Sequence, residues 1–216
     1  MWTYLRTYSL ELGINHPARY FRMQKLILLL LPLCVSAFQP SGKIMFRNAS
    51  FEDKPATGKC PKGWYSGYMG STPDVLPGAW EIMSPLAQDG QTYIGLIVRE
   101  DGTREDIRQA MVSPLVAGQC YSFSVFLAHA PKYVGYNQPT RLRIWGRADK
   151  DGPSQLLATS TLIDHTDWRE YEFELTPTVS VRHLIFEADY APGVVFKYRG
   201  NLLIDHCTPL KKCIRA

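Results

Sequence analysis

The sequence contains none of the short motifs that mark common catalytic sites. It has no GxSxG segment, no HExxH segment and no glycine-rich phosphate loop, which argues against serine hydrolases, zinc proteases and nucleotide-dependent enzymes. The five histidines show no catalytic spacing; they are His16, His129, His165, His183 and His206. His206 is adjacent to Cys207, and neighbours on a strand point to opposite faces, so the two do not form a nucleophilic pair. We therefore expect a protein that is not an enzyme.

The sequence also lacks a hydrophobic run long enough to span a membrane. Its longest apolar run, Leu26 to Cys34, follows the basic residue Lys25 and precedes the small residues VSA. This order is typical of a secretory signal peptide, whereas a membrane-spanning helix needs about 20 apolar residues. The run therefore predicts a protein that is secreted or held in the cell envelope. Because Leu33 is bulky where a lipoprotein has a small residue, we do not expect lipidation of Cys34.

The leader sets the predicted domain boundaries. We predict a signal peptide over residues 23–37, preceded over residues 1–22 by an upstream mis-start or an extended leader. Residues 38–216 then form the mature chain. This length suits one domain with a sizeable core.

A strong excess of positive charge is absent from the mature chain. Four basic residues and one acidic residue precede residue 38, so the formal net charge of +4 for the whole sequence falls to +1 for residues 38–216. No stripe of lysine and arginine remains. This distribution argues against nucleic acid and anionic membranes as partners.

The cysteines lack the spacing of a metal site, since there is no CxxC and the gap from Cys207 to Cys213 is too wide for a zinc pair. Four cysteines remain after the leader: Cys60, Cys120, Cys207 and Cys213. An even number in an exported chain indicates two disulfides, with three possible pairings. We prefer Cys120–Cys207, because both residues lie at the ends of predicted strands. The alternative is that some of the four are free, buried thiols.

Helical periodicity is absent from the mature chain, and nearly every patterned stretch alternates with a period of two residues. In YSFSVFLAH (121–129), Phe123 and Val125 face one way, while Ser122 and Ser124 face the other. The same alternation recurs in residues 92–100, 140–147, 169–176, 181–189 and 200–207. Six or more short antiparallel strands in one domain predict an all-β sandwich or barrel.

One long segment interrupts this rhythm, residues 54–91, which is rich in glycine, proline and aromatic residues. Loops longer than about 12–15 residues are usually functional or disordered. Trp64, Tyr65, Tyr68 and Trp80 argue against disorder, because disordered segments have few aromatic residues. We therefore expect an ordered loop, tethered by Cys60, that covers a sheet edge or borders a site.

Several motifs together carry a resemblance to a known fold family. The segments NASFED, DGQTYIGL, LVAGQCYSFSVFLA, HTDWREYEFEL and NLLIDHC occur within residues 46–208, in the order seen in jelly-roll carbohydrate-binding modules of the galactose-binding-like class. The segments TPDVLPGAW, REDGT and LRIWG resemble, more narrowly, an uncharacterised domain of exported or outer-membrane proteins of gliding Bacteroidota, sometimes found ahead of OmpA-like modules. The resemblance implies an antiparallel β-sandwich of the jelly-roll type.

The resemblance also implies a structural calcium ion. In the related modules, a glutamate of the first strand and an aspartate of the last strand bind calcium with backbone carbonyl groups. The matching residues here are Glu52 and Asp205, with Asn48 and Asp53 as weaker candidates. Ca²⁺ takes six to eight oxygen ligands at about 2.3–2.6 Å, so these residue types suit it. The alternative is that Glu52 pairs with a basic residue and Asp205 caps a turn.

The outward faces of the predicted strands supply candidate ligand-binding residues. Sugars are bound by aromatic rings and by a few placed polar groups. If the outward faces converge, the candidate set consists of Arg99, Arg143, Trp145 and Glu187, with Tyr133 and Tyr136 from the segment KYVGYNQP. The alternative is that these side chains are ordinary cross-strand neighbours that stabilise the sheet.

Three functions follow from these observations. Our leading hypothesis is an exported, non-catalytic module that binds carbohydrate or another cell-surface polymer. The alternative is a structural or adhesion domain whose partner is another protein of the envelope or surface. A glycoside-active enzyme with paired carboxylates such as Glu187 and Asp189 is the least favoured of the three.

Overall fold

The fold is known from a computed structural model, which describes residues 42–78, 82–83 and 85–214. The predicted leader, the signal peptide, Cys34 and Trp80 lie outside the described residues. The described part consists of strands, turns and loops, and none of it forms a helix that is long and apolar enough to cross a membrane. The strands are β1 (Lys43–Ile44), β2 (Asp74–Leu76), β3 (Ile82–Met83), β4 (Tyr93–Val98), β5 (Asp106–Leu115), β6 (Tyr121–Ala128), β7 (Lys132–Tyr133), β8 (Gln138–Pro139), β9 (Arg141–Arg147), β10 (Ser154–Thr159), β11 (Arg169–Leu175), β12 (Val181–Asp189), β13 (Gly200–Cys207) and β14 (Leu210–Lys212).

Two sheets face each other and enclose the core. Sheet A has the order β1-β14-β6-β13-β4-β2, with β11 paired to β6 and β8 paired to β13. Sheet B has the order β10-β9-β12-β5, and β3 pairs with β7 in a separate two-stranded ribbon. All pairs are antiparallel except β8 with β13. The protein is an all-β antiparallel sandwich with a jelly-roll fold, as predicted.

The core lies between the sheets and is rich in aromatic rings. Phe123 from sheet A stacks on Phe186 from sheet B, with ring centroids 6.0 Å apart. Phe46 contacts Phe123 at 5.5 Å, and Trp64 contacts Phe186 at 5.5 Å. The alternation predicted for residues 121–129 is confirmed, because its apolar positions are buried while Ser122 and Ser124 are only half-buried. Burial of these rings supplies the main stabilising term, since aromatic side chains bury large apolar areas.

A second apolar cluster lies on the outer side of sheet A. Its buried members are Leu76, Tyr93, Ile97, Ala128, Ala130, Tyr133 and Leu203. The segment after β3 packs on this cluster, because Tyr93 Oη donates to the Pro85 carbonyl oxygen (3.0 Å) and Trp168 Nε1 donates to the Leu86 carbonyl oxygen (2.7 Å). The part of residues 54–91 that the structure describes is therefore ordered and covers a sheet face, although Cys60, a free thiol, does not tether it.

The segment NASFED is a tight turn rather than a strand. Asn48 and Phe51 have positive φ angles of 51° and 55°, and the Phe51 N–H donates to the Asn48 carbonyl oxygen at 3.2 Å. The turn is fixed by the Asn48 side chain, whose Oδ1 accepts from the Glu52 N–H at 2.8 Å. Asparagine tolerates the left-handed region better than most residues do, which suits it to this position.

Alternation does not predict every strand, and β5 and β10 are the longer strands outside the predicted stretches. β5 (Asp106–Leu115) begins with charged residues, and its inward positions include Gln109, which is fully buried. Gln109 Oε1 accepts from the Arg47 N–H at 2.7 Å, and its Nε2 donates to the Arg47 and Gly63 carbonyl oxygens. With these three hydrogen bonds the buried Gln109 side chain has the partners that a buried polar group needs. Its presence breaks the apolar pattern from which strands are predicted.

The predicted disulfide Cys120–Cys207 is wrong. The disulfide joins Cys120 to Cys213, with a Cα–Cα distance of 5.4 Å, and Cys60 and Cys207 are free thiols. The reason lies at the end of β13, where His206 has φ 47° and the register with β6 shifts before Cys207. The chain then continues as β14, which pairs Lys212 with Tyr121 and brings Cys213 beside Cys120. Cys207 instead faces the core, 2% exposed.

We predict that the double substitution Cys120→Ser/Cys213→Ser lowers the free energy of unfolding by about 2–5 kcal/mol, because the bond closes a long loop in the unfolded chain. Urea unfolding of the oxidised wild type and the variant measures this loss. Cys60→Ser, at a half-buried free thiol, is the control and should be close to the wild type. Equal stability of all three proteins would contradict the pairing.

Candidate ligand-binding site

Glu105 connects the two sheets at one end of the sandwich. Its N–H donates to the Ile97 carbonyl oxygen (2.9 Å) and its carbonyl oxygen accepts from the Ala188 N–H (3.0 Å), so its backbone joins β4 of sheet A to β12 of sheet B. Its side chain, only 1% exposed, accepts from the Ile97 N–H at 3.2 Å and from Thr72 Oγ1 at 2.7 Å, and also from Arg99. Burial raises the pKa of Glu105, while the Thr72 hydrogen bond and the Arg99 charge act in the opposite direction.

An open cavity of about 570 Å³, the arginine cleft, lies between the chain around Tyr68 and the turn after β4. Its lining residues are Tyr68, Met69, Gly70, Ser71, Thr72, Arg99, Asp101, Gly102, Thr103, Arg104 and Glu187. The Arg99 guanidinium is held by Glu105, and the Arg104 guanidinium by Asp189 (Nε to Oδ1, 2.8 Å). The cleft therefore combines an aromatic ring with fixed charged groups, and its volume falls in the range of small-molecule sites.

A second cavity, the tyrosine pocket, adjoins the cleft. It has a volume of about 310 Å³ and is lined by Thr57, Gly58, Thr72, Asp74, Ile97, Glu105, Tyr133, Val134 and Tyr136. Thr72 lines both cavities. Tyr133 is almost fully buried and donates from Oη to Asp74 Oδ2 at 2.7 Å, while Tyr136 is half-buried and lies under the Arg199 guanidinium.

Behind the cleft, two carboxylates lie side by side on sheet B. Asp106 of β5 and Glu187 of β12 are cross-strand partners, and they are 0% and 5% exposed. Glu187 accepts from Tyr68 Oη (3.0 Å) and from Trp145 Nε1 (3.2 Å), and Asp106 Oδ1 accepts from the Gly67 N–H (3.0 Å). Asp106 Oδ2 has no hydrogen-bond partner. Burial raises the pKa of Asp106 to about 6, and the charge of Glu187 contributes.

The neighbouring carboxylate on β12 is held by arginines. Asp189 is 2% exposed and contacts the guanidinium groups of Arg104, Arg141 and Arg143 at 2.7–2.9 Å. Burial acts to raise its pKa, but the Arg141 hydrogen bonds and the Arg143 and Arg104 charges outweigh burial, so the pKa is lowered. A buried charge needs this kind of pairing, because an unpaired one carries a large desolvation cost.

The structure brings four of the six predicted ligand-binding residues to the two cavities. Arg99 and Glu187 line the arginine cleft, and Tyr133 and Tyr136 line the tyrosine pocket. Arg143 and Trp145 line neither cavity. They lie on the outer face of sheet B, where the Arg143 guanidinium is 5.7 Å from the centroid of the Trp145 ring. On this face Trp145 donates to Glu187 and Arg143 contacts Asp189, the two carboxylates of β12.

Sequence reasoning missed the polar residues that shape the site. Thr72, Asp74, Glu105 and Asp106 were not among the candidates, although the segment around Tyr68 was expected to border a site. Asp74 and Glu105 belong to no alternating run, so periodicity gave no signal for them. The available signal was the charged stretch REDGTRED (99–106), which is unusually polar for residues beside buried strands.

The residues predicted to bind calcium hold a turn instead. Asp205 is fully buried, and its carboxylate accepts from the N–H groups of Gln88 (2.8 Å), Asp89 (3.1 Å) and His206 (2.7 Å). Glu52 Oε1 accepts from the N–H groups of Gln91 and Thr92, each at 2.9 Å. Burial raises the pKa of Asp205 to about 7 despite these bonds.

This arrangement does not fit a calcium site. Four N–H donors of residues 88–92 point at the two carboxylates, whereas a cation needs carboxylate and carbonyl oxygens directed at it. Asn48 is also committed, since its Nδ2 donates to the Glu52 and Lys62 carbonyl oxygens. Asp53 bonds to the N–H groups of Lys54 and Lys62. Calcium binding stays a prediction of the resemblance.

Other parts of the described chain offer less to a ligand. A polar groove of about 450 Å³ on sheet A is lined by Ser122, Phe123, Ser124, Glu170, Glu172, Thr208, Pro209 and Lys211, and it lacks an exposed aromatic ring. Cys120, Glu174 and Cys213 come close enough to share a metal ion. The two sulfur atoms are bonded to each other, and a disulfide does not supply the thiolates that metals bind.

We predict that Asp106→Asn changes the dependence of stability on pH. The Asp106 pKa rises from 3.8 unfolded to about 6 folded, so its protonation stabilises the fold below pH 3.8, and that stability is lost as the pH rises through 6. At pH 7.5 the variant should be more stable than the wild type, by up to about 3 kcal/mol. Urea unfolding from pH 4 to pH 8 measures this, with Asp151→Asn, an exposed residue, as the control. A variant that follows the wild-type profile would contradict the assignment.

Comparison with known proteins establishes a likeness of fold. No protein-family model and no curated protein sequence matches the chain. Among solved structures, a cyclase from Fischerella sp. TAU, crystallised with 4-(1H-indol-3-yl)butan-2-one, has a TM-score of 0.56 at 14% identity, covering 81% of this chain and 98% of the cyclase. The CBM22-1 xylan-binding domain of Paenibacillus barcinonensis Xyn10C has a TM-score of 0.49 at 14% identity, covering 82% and 98%. A CBM4 domain has a TM-score of 0.45 at 14% identity, covering 78% and 100%. At such identity the similarity to the cyclase concerns the fold alone.

Proposed function

We propose that this chain is an exported, non-catalytic carbohydrate-binding module whose ligand occupies the arginine cleft and the tyrosine pocket. The observation that carries the proposal is that the two cavities adjoin at Thr72 and together combine aromatic rings with charged groups fixed by ion pairs. Aromatic faces for the C–H faces of a sugar and a few oriented polar groups for its hydroxyls are the requirements of such a site. The resemblance to carbohydrate-binding modules supports the same ligand class.

The location of the site follows from what covers sheet A. The apolar cluster around Tyr93 and Leu203 is buried under residues 85–87 and the β3–β7 ribbon. A polymer therefore has no open path across the middle of this face in the described residues. At the end of the sandwich, by contrast, the segment around Tyr68 and the turn after Arg99 leave room between them. We infer that the ligand binds at this end.

The buried carboxylates behind the cleft support binding over catalysis. Asp106 is fully buried beneath Gly67, where a Cβ atom would lie 1.8 Å from Asp106 Oδ2, so a substrate has no space there. Glu187 is only 5% exposed and is hydrogen-bonded by Tyr68 and Trp145. We therefore infer that Asp106 and Glu187 hold the wall of the cleft in position and do not transfer protons.

A second candidate function is binding of another surface or envelope protein. It is favoured by the loop after β12, where Val195 and Phe196 are 81% and 88% exposed. Two adjacent, nearly fully exposed apolar side chains are unusual outside an interface. If this function is the correct one, Phe196→Ala will abolish capture of the partner while Tyr136→Ala leaves it unchanged.

We predict that Tyr68→Ala and Tyr136→Ala each weaken glycan binding about two- to tenfold, because each removes an aromatic wall worth about 0.5–1.5 kcal/mol in stacking. Titration calorimetry with oligosaccharides selected on a glycan array measures the effect. Phe126→Ala, at a half-buried ring outside both cavities, is the control and should bind as the wild type does. Unchanged affinity of both tyrosine variants would place the ligand elsewhere.

We also predict that the midpoint of thermal unfolding is the same in calcium and in chelator, because backbone amides already occupy the Glu52 and Asp205 carboxylates. Glu52→Ala should lower stability by about 1–3 kcal/mol in both conditions, since it leaves two amide donors without an acceptor. A rise of the wild-type midpoint with calcium, absent in Glu52→Ala and Asp205→Ala, would instead establish the metal site that the resemblance implies.

A further inference from the structure

The two cavities carry more unpaired negative charge than positive charge. Their lining includes four carboxylates, Asp74, Asp101, Glu105 and Glu187, and two guanidinium groups. Both guanidinium groups are already paired with buried carboxylates, Arg99 with Glu105 and Arg104 with Asp189. Asp189 also holds Arg141 and Arg143, so we expect a negative field only in the tyrosine pocket, whose lining has Asp74 and Glu105 and no basic residue. That field disfavours uronic acids and sulfated sugars and favours a cation.

Asp74 is the carboxylate that a cation would reach in the tyrosine pocket. It is half-buried, and its oxygens accept from the Gly58 N–H (2.8 Å) and from Tyr133 Oη (2.7 Å), which are both neutral donors. None of the described ion pairs includes Asp74. Burial raises the pKa of Asp74, while the hydrogen bonds from Tyr133 and Gly58 and the charge of Arg99 act in the opposite direction. A bound cation would stabilise this desolvated carboxylate further.

The walls of the same pocket suit a cation as well. Tyr136 presents a half-buried aromatic ring, whose face attracts ammonium and guanidinium groups, whereas Tyr133 is 2% exposed and adds little free surface. Tyr136 already interacts in this way with Arg199, whose guanidinium carbon is 5.3 Å from the ring centroid. Ile97 and Val134 add apolar surface to the lining, which reduces hydration of that part of the pocket. An ammonium group is small enough for a cavity of about 310 Å³ that must also hold part of a sugar ring.

We propose that the ligand is a glycan with free amino groups, and that the tyrosine pocket binds a protonated amine of one sugar unit between Asp74 and the Tyr136 ring. The proposal rests on the carbohydrate-binding function and names the ligand class of that site. Adjacent sugar units occupy the arginine cleft, where the Arg99 and Arg104 groups meet hydroxyls. No bond is made or broken.

The test compares three β-1,4-linked hexasaccharides of equal length, built from glucosamine, from N-acetylglucosamine and from glucose, by titration calorimetry below the pKa of the amine. The glucosamine form should bind roughly ten- to hundredfold more tightly than the other two, the range of a charge-assisted hydrogen bond. Raising the pH above the amine pKa should remove this preference. Asp74→Asn keeps the acceptor for Gly58, and it should lose the preference while retaining weak binding of the glucose form.

Controls separate the amine assignment from the carbohydrate-binding function. Asp151→Asn removes one negative charge at the other end of sheet B, and it should keep the full preference for the amine. Equal binding of the three hexasaccharides overturns the amine assignment and leaves the carbohydrate-binding function intact. If the protein binds none of the three hexasaccharides and no other glycan, the carbohydrate-binding function itself is wrong. If a lysine-containing peptide binds as tightly as the glucosamine hexasaccharide, the pocket binds an alkyl ammonium group of a protein. That result would also overturn the proposal.

Discussion

The hydrogen bonds of Glu105 are the interactions on which the site depends. Its backbone joins β4 to β12, so it sets the separation of the two sheets at this end. Its buried carboxylate accepts hydrogen bonds from Thr72, which lines both cavities, and from Arg99, which lines the arginine cleft. Asp106 and Glu187 extend this arrangement along the sheet by accepting from Gly67 and Tyr68. Three carboxylates of the sandwich thus hold one irregular segment, and that segment forms the wall of both cavities.

The fold could be predicted because burial has a simple signature in a two-layer sheet. Alternation of apolar and polar residues identified β6, β9 and β11 almost to their ends, since each of these strands buries one face more than the other. β12 and β13 were identified as well, although most of their residues are buried on both faces. The order of motifs predicted the jelly roll on the same residues. The outward faces of the predicted strands, with the segment KYVGYNQP, brought Arg99, Tyr133, Tyr136 and Glu187 into one candidate set, and the structure places them around two adjoining cavities. The ligand class, the export of the chain and the link to Bacteroidota stay predictions.

The features that the sequence did not predict correctly share a physical cause. Each depends on backbone geometry or on buried polar contacts that the periodicity of a sequence does not encode. The pairing of Cys120 with Cys213 follows from a register shift at His206, where the chain leaves β13 and re-enters the sheet as β14. β5 was missed because Gln109 replaces an apolar residue on its inner face. The role of Glu52 and Asp205 depends on the amides of residues 88–92, and Gly90, with φ 68°, makes room for the Glu52 carboxylate. Arg143 and Trp145 face outward as the alternation predicts, but they contact Glu187 and Asp189 rather than either cavity.

The central claim is that the ligand binds where the two cavities meet at Thr72. The most direct test is a backbone amide map by heteronuclear NMR of residues 38–216, titrated with the glucosamine hexasaccharide. We predict that the amide chemical shifts of Thr72, Arg99, Tyr136 and Glu187 change together and saturate with one dissociation constant. Shifts confined to Ser122, Ser124 and Glu170, in the polar groove of sheet A, would contradict it.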